Sequence, residues 1–127
     1  FLLLLLPGAG DELQGIKRGI VELADLIIVN KADGEQAAAA GRAAADYRNA
    51  LRLLRARSPH WQVPVETVSA LEGRGIDRVW ELVGEYRRIR KDTGEFARHR
   101  ADQARAWLRS EMAENLTRFW NQNEDAE

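Results

Sequence analysis

In the stretch LIIVNKADG, residues 26–34, an unbroken apolar run gives way without transition to Asn30, Lys31 and Asp33, and then to Gly34. Three of the four apolar residues, Ile27, Ile28 and Val29, are β-branched. A short run with no polar alternation predicts a strand covered on both faces. Such a strand, ending in an amide, an amine and a carboxylate, offers three polar groups at one edge of a sheet.

The flanking sequence supplies the rest of the layer pattern. Residues 1–6, FLLLLL, form a second continuous apolar run stopped by Pro7-Gly8, and predict another strand covered on both faces. Leu13, Ile16, Ile20, Leu23 and Ala24 recur at helical spacing over residues 12–24. Downstream, Ala40, Ala44, Tyr47, Leu51 and Leu54 define one face of a helix predicted from Glu35 to Arg57, stopped by Ser58-Pro59. A third strand is predicted over Val63–Ser69, followed by a turn at Gly73 and Gly75. The next helix carries Ile76, Val79, Trp80, Val83 and Tyr86 on one stripe, with Trp80 expected in the core.

Strand and helix thus alternate three times, which predicts an α/β fold: a parallel sheet with flanking helices. In open sheets of this kind ligands gather outside the carboxyl ends of the strands. Those ends read PGAGDE, NKADG and SALEG, polar or glycine-bearing where the strands are apolar. From Thr93 the character changes to a long helical segment, so the chain divides into residues 1–92 and a helical extension, 93–127. Ala104, Leu108, Met112, Leu116 and Phe119 trace an apolar stripe there, widened by Trp107 and Trp120. A helix of this kind either packs back on its own core or reaches for a partner helix.

Composition excludes several functions. The 127 residues suffice for one domain with a real core, and the net charge of −1 recruits neither nucleic acid nor an anionic membrane. The arginines of RLLRARSPH read as a solvated helix face. No cysteine is present, which removes disulfides and thiolate chemistry and fits a reducing, cytoplasmic setting. His60 and His99 lack metal-ligand spacing. The leading apolar run is too short for a membrane span and has no basic segment before it. The absence of an initiator methionine implies a start inside a longer protein.

The chemistry lies at the strand ends. A carboxylate held at fixed depth, Asp33, accepts two parallel hydrogen bonds, and guanine offers that pair in its ring imino and exocyclic amine. Adenine presents the opposite polarity, so buried polar groups there would go unpaired. Lys31 can lay its stem along the base while its ammonium stays wet, and Asn30 can brace the loop and meet the base edge. Ser69, Ala70 and Leu71 follow the third strand, where the Ala70 N–H suits a keto oxygen. The alternative is a surface turn in which Asp33-Gly34 caps the next helix. Asn-Lys-x-Asp followed by Ser-Ala-x after the next strand resembles the base-reading pair of P-loop GTPases.

A closer resemblance covers nearly the whole chain. LLPGAGDELQGIKRGIVELADLIIVNKADG, AAADYRNALRLL and PVETVSALEGRGIDRVWELV resemble the methylmalonyl-CoA mutase-associated GTPases of the MeaB/ArgK type. The resemblance implies part of a GTPase sheet followed by a dimerisation arm. It implies binding of GTP and GDP, hydrolysis with Mg2+, and service as a chaperone to an adenosylcobalamin-dependent methylmalonyl-CoA mutase. Location would be cytoplasmic, or the mitochondrial matrix in a eukaryote. It also makes Asp11, Glu12, Gln14, Gly15, Lys17 and Arg18 a switch-like loop that senses nucleotide and contacts the mutase. Gly8, Gly10, Gly15 and Gly19 would ease its rearrangement, although a plain strand-to-helix connection reads the same way.

No G-x-x-x-x-G-K-S/T occurs, so no catalytic residue is assigned and the magnesium ligands are expected outside this stretch. On its own the stretch is expected to be inactive. Two alternatives remain: a non-catalytic dimerisation or mutase-docking module, and a kinase linked to arginine and ornithine transport.

Overall fold

The computed structural model describes residues 1–8 and 14–124. Strands β1 (Leu2–Leu5), β2 (Leu26–Val29) and β3 (Val65–Thr67) form a parallel sheet in the order β1-β2-β3. Leu2 pairs with Leu26 and Leu5 with Val29, while Ile27 pairs with Val65 and Val29 with Thr67. Helices α1 (Gln14–Leu23), α2 (Ala37–Leu53) and α3 (Ile76–Asp92) make the connections and the covering layers. A further helix, α4, runs from Glu95 to Glu124.

β2 is buried on both faces, as its unbroken apolar run requires. Because side chains alternate along a strand, Ile27 and Val29 join Val21, Ala24, Ala40, Ala44 and Val65, while Leu26 and Ile28 join Val68 and Leu82 on the opposite face. The alanine-rich α2 has high intrinsic helix propensity. Ala40 and Ala44, one turn apart and fully buried, let its axis approach the sheet closely. Tyr47, Leu51 and Leu54 flank them on the predicted face. Each fully buried Ile or Val of β2 contributes about 1.5–3 kcal/mol relative to exposure.

Tertiary packing departs from the sequence reading at five places. Trp80 is 69% exposed, not in the core. Val79, Leu82 and Val83 face the sheet instead, and at 3.6 residues per turn Trp80 lies about 100° around the helix from Val79. β1 is covered on one face only: Leu3 and Leu5 pack on the core, while Leu2 and Leu4 are exposed. On α1, Val21 and the following Ala24 are buried, whereas Ile20 and Leu23 turn outward. α2 is preceded by a 3-10 turn at Gly34–Gln36 and ends at Leu53, ahead of Ser58-Pro59, because Leu54 turns extended and packs against the core. β3 is shorter than Val63–Ser69, since Ser69 leaves the parallel ladder to pair antiparallel with Arg74.

By compactness the chain divides into Phe1–Tyr86 and Arg87–Glu127. Within the second unit, α3 is closed by Thr93, whose N–H and Oγ1 both donate to the Ile89 carbonyl, at 3.0 and 2.8 Å. Gly94 takes φ 71°, a left-handed position that glycine tolerates at a helix end. Arg90 and Glu95 form a largely buried ion pair at 2.9 Å across this corner. α4 then spans 30 residues, roughly 45 Å at 1.5 Å per residue. Trp107, Leu108, Met112, Leu116, Phe119 and Trp120 are each between 54% and 67% exposed along it.

Candidate functional site

The carboxyl ends of the three strands hold one another through their main chains. Asn30 N–H donates to the Leu5 carbonyl, Val68 N–H to Val29, and Ala32 N–H to Val68, each at 2.9 Å. Between these anchors Lys31 adopts φ 60°, the one positive φ at a non-glycine among the described residues. A left-handed lysine costs about 1–2 kcal/mol, and such strain persists only where surrounding bonds over-determine it. Here it turns the chain so that Ala32 can return to β3. The lysine side chain itself is exposed.

Asp33 occupies the position before the 3-10 turn, in extended geometry, yet its side chain makes no capping bond. Its carboxylate instead accepts a hydrogen bond from Ser69 Oγ, across 36 residues of sequence. Ser69 is fully buried, and its hydroxyl oxygen also accepts the Glu72 N–H at 3.1 Å. Ala70 N–H donates to Asn30 Oδ1 at 3.1 Å. A carboxylate has roughly four lone-pair sites, so one bond from Ser69 orients Asp33 without exhausting it. The result is a fixed anionic acceptor, a braced amide and a main-chain donor on a small residue, gathered at one rim of the sheet.

Of the residues singled out in the sequence, Asn30, Asp33, Ser69 and Ala70 are thus joined in one network. Lys31 contributes the turn. Leu71, 89% exposed, stands at the edge of that network. Asp11 and Glu12 lie outside the described residues. Gln14, Gly15, Lys17 and Arg18 fall on the α1 backbone, and their side chains are likewise outside what is described.

Sequence reasoning passed over Arg74 and the use made of Gly75. Ser69 and Arg74 exchange reciprocal main-chain hydrogen bonds at 3.0 Å, closing the loop after β3. The Arg74 guanidinium donates through Nη2 to the Ala32 carbonyl at 2.8 Å and meets the Glu72 carboxylate at 2.8 Å. Gly75 has φ 81°, and a Cβ there would stand 3.0 Å from the Thr67 carbonyl oxygen and 3.2 Å from Val68 Cγ1. Two glycines bracketing an arginine were the available signal.

Among the described residues no group of three His, Asp or Glu side chains is placed to hold a metal ion. His60 N–H donates to Ser58 Oγ at 3.1 Å, and the His99 ring lies 3.0 Å from Gln103 Nε2. Among the described residues no helix is long and apolar enough to cross a membrane.

Comparison with known proteins places these features in context. The family profile described as "Methylmalonyl Co-A mutase-associated GTPase MeaB" matches residues 1–125. A Caulobacter vibrioides protein described as a GTPase is 47% identical over 116 residues, covering 91% of this chain and 35% of that protein. The mitochondrial methylmalonic aciduria type A homolog of Mus musculus is 44% identical over 116 residues, covering 91% of this chain and 28% of its own. Among solved structures, that of an LAO/AO transport system kinase superposes with a TM-score of 0.76 at 39% identity, covering 81% of this chain and 34% of its own. The chain therefore spans about a third of the length of these relatives.

Proposed function

Because this chain belongs to the family of methylmalonyl-CoA mutase-associated GTPases, we propose that it supplies the base-reading part of a protein that binds and hydrolyses GTP. The observation that carries the reading is the Asp33 carboxylate, drawn away from helix capping and oriented by Ser69 from the neighbouring strand end. In this reading Asp33 accepts the ring imino and exocyclic amine of guanine. Asn30 meets the base edge, Lys31 lies along its face, and Ala70 N–H serves the keto oxygen once the Asn30 amide turns aside. Leu71 closes the rim from its exposed position. The Asp33 acceptor and the Ala70 N–H donor have the right chemistry for guanine and the wrong polarity for adenine.

Phosphate binding, Mg2+ and the attacking water are assigned to segments outside this stretch, and no hydrolytic step is drawn through the residues described. The whole protein is read as a chaperone for an adenosylcobalamin-dependent methylmalonyl-CoA mutase, with Asp11, Glu12 and the start of α1, at Gln14, Gly15, Lys17 and Arg18, as its nucleotide-sensing, mutase-facing segment. Residues 93–127 are read as the dimerisation arm, on the support of the exposed apolar stripe along α4. A bacterial protein of this kind would work in the cytoplasm, a eukaryotic one in the mitochondrial matrix.

The test is Asp33→Asn in the full-length protein, with nucleotide affinity read by isothermal titration. GTP affinity is expected to fall roughly 10³-fold, and xanthosine triphosphate, whose exocyclic oxygen suits an amide donor, to become the better ligand. Unchanged GTP affinity would remove Asp33 from base recognition.

A further inference from the structure

We infer that Arg74 is a positioning residue for the base site and a determinant of its selectivity, acting through the peptide that carries Asp33. The inference rests on the guanine reading above and adds a residue to it.

The Ala32 carbonyl that Arg74 holds belongs to the peptide unit joining Ala32 to Asp33. That unit is planar, so fixing its oxygen fixes the Asp33 nitrogen and the direction in which its Cα leaves. The preceding unit, between Lys31 and Ala32, is already held by the Ala32 N–H bond to Val68. Lys31, at φ 60°, sits just before both and has no regular ladder to keep it there. Two successive planes held from two sides account for how a strained segment delivers Asp33 in one orientation.

Arg74 also holds the other half of the site. Its N–H and carbonyl pair with those of Ser69, the residue whose hydroxyl orients the Asp33 carboxylate. The main chain of Arg74 thus fixes the orienting group while its side chain fixes the backbone of the oriented one. Its neighbour Gly75 packs closely against Thr67 and Val68 at a positive φ of 81°, where a Cβ would stand 3.0 Å from the Thr67 carbonyl oxygen. The Arg74 side chain is 60% exposed and shares Nη2 with Glu72, so the expected effect is moderate, as for other solvent-screened contacts.

Inosine diphosphate tests this because it lacks the exocyclic amine and meets Asp33 through one N–H only. A well-placed carboxylate separates GDP from IDP strongly, and a loosely placed one separates them less. In the full-length protein, Arg74→Ala is expected to weaken GDP about 5-fold and to narrow the GDP:IDP preference about 3-fold, with the thermal midpoint essentially held. Arg74→Lys should recover most of the preference, since an ammonium can still reach the Ala32 carbonyl as a single donor. Arg74→Gln, too short to reach it, should match the alanine variant and serves if that variant does not fold. Equal weakening of GDP and IDP, or no change in either, would overturn the inference and leave Arg74 a loop residue. A wild-type protein that binds GDP no better than IDP or ADP would instead overturn the guanine reading, and the role of Arg74 with it.

Discussion

The rim above the sheet and the long helix α4 are held together in opposite ways. Side-chain bonds at the rim join residues 36, 40 and 42 positions apart in the chain, through Ser69 to Asp33, Ala70 to Asn30 and Arg74 to Ala32. On α4 they join residues three to five positions apart, as in Arg105 to Asp102, Thr117 Oγ1 to the Ala113 carbonyl and Arg98 to the Thr93 carbonyl. The rim therefore exists only once the sheet has brought two distant segments together. The helix specifies its own backbone locally and leaves its apolar stripe exposed. A short functional motif means little without the layer beneath it, whereas a long helix held by local bonds says a good deal without any.

The largest effect should come from undermining that layer. Ile27, fully buried at the centre of β2, lies beneath the rim. Ile27→Ala is expected to cost about 2–5 kcal/mol in urea unfolding of the full-length protein. A cost below 1 kcal/mol would mean that the rim does not depend on the packing of β2. Next, Gly75→Ala should cost about 1–3 kcal/mol, from a positive φ and a close approach to Thr67, and should weaken guanine nucleotides as the loop shifts. Retained stability with unchanged nucleotide affinity would show that the loop after β3 tolerates a looser closure than the contacts imply. The smallest effect belongs to α4. Leu108→Ser combined with Met112→Ser, both on the exposed stripe, should change subunit stability by about 0.5 kcal/mol or less per site. Sedimentation of the same variant would then report whether the stripe joins two copies, since loss of a dimer would appear without loss of fold.

Much of this organisation was legible in advance because it rests on short-range physics. The double-sided burial of β2, the alanine face of α2 and the presence of a long helix after Thr93 all follow from residue type and period. Asn30, Asp33, Ser69 and Ala70 could be marked as a group because two strand ends in a parallel sheet must face the same side. Trp80 was misplaced because a stripe read at i, i+3, i+4 is wider than the strip of helix that actually meets the sheet. The outward face of β1 escaped notice because an unbroken apolar run does not say how many of its faces are covered.

Residue order alone was enough to set the strands, the helices and the polar chemistry waiting at the strand ends, since each depends on a few neighbours and on the pleat or the turn. The pairing of Ser69 with Asp33, the left-handed Lys31 and the reach of Arg74 to Ala32 were decided only in three dimensions. They join groups that no local rule connects, and each holds its geometry because the bonds around it leave no other.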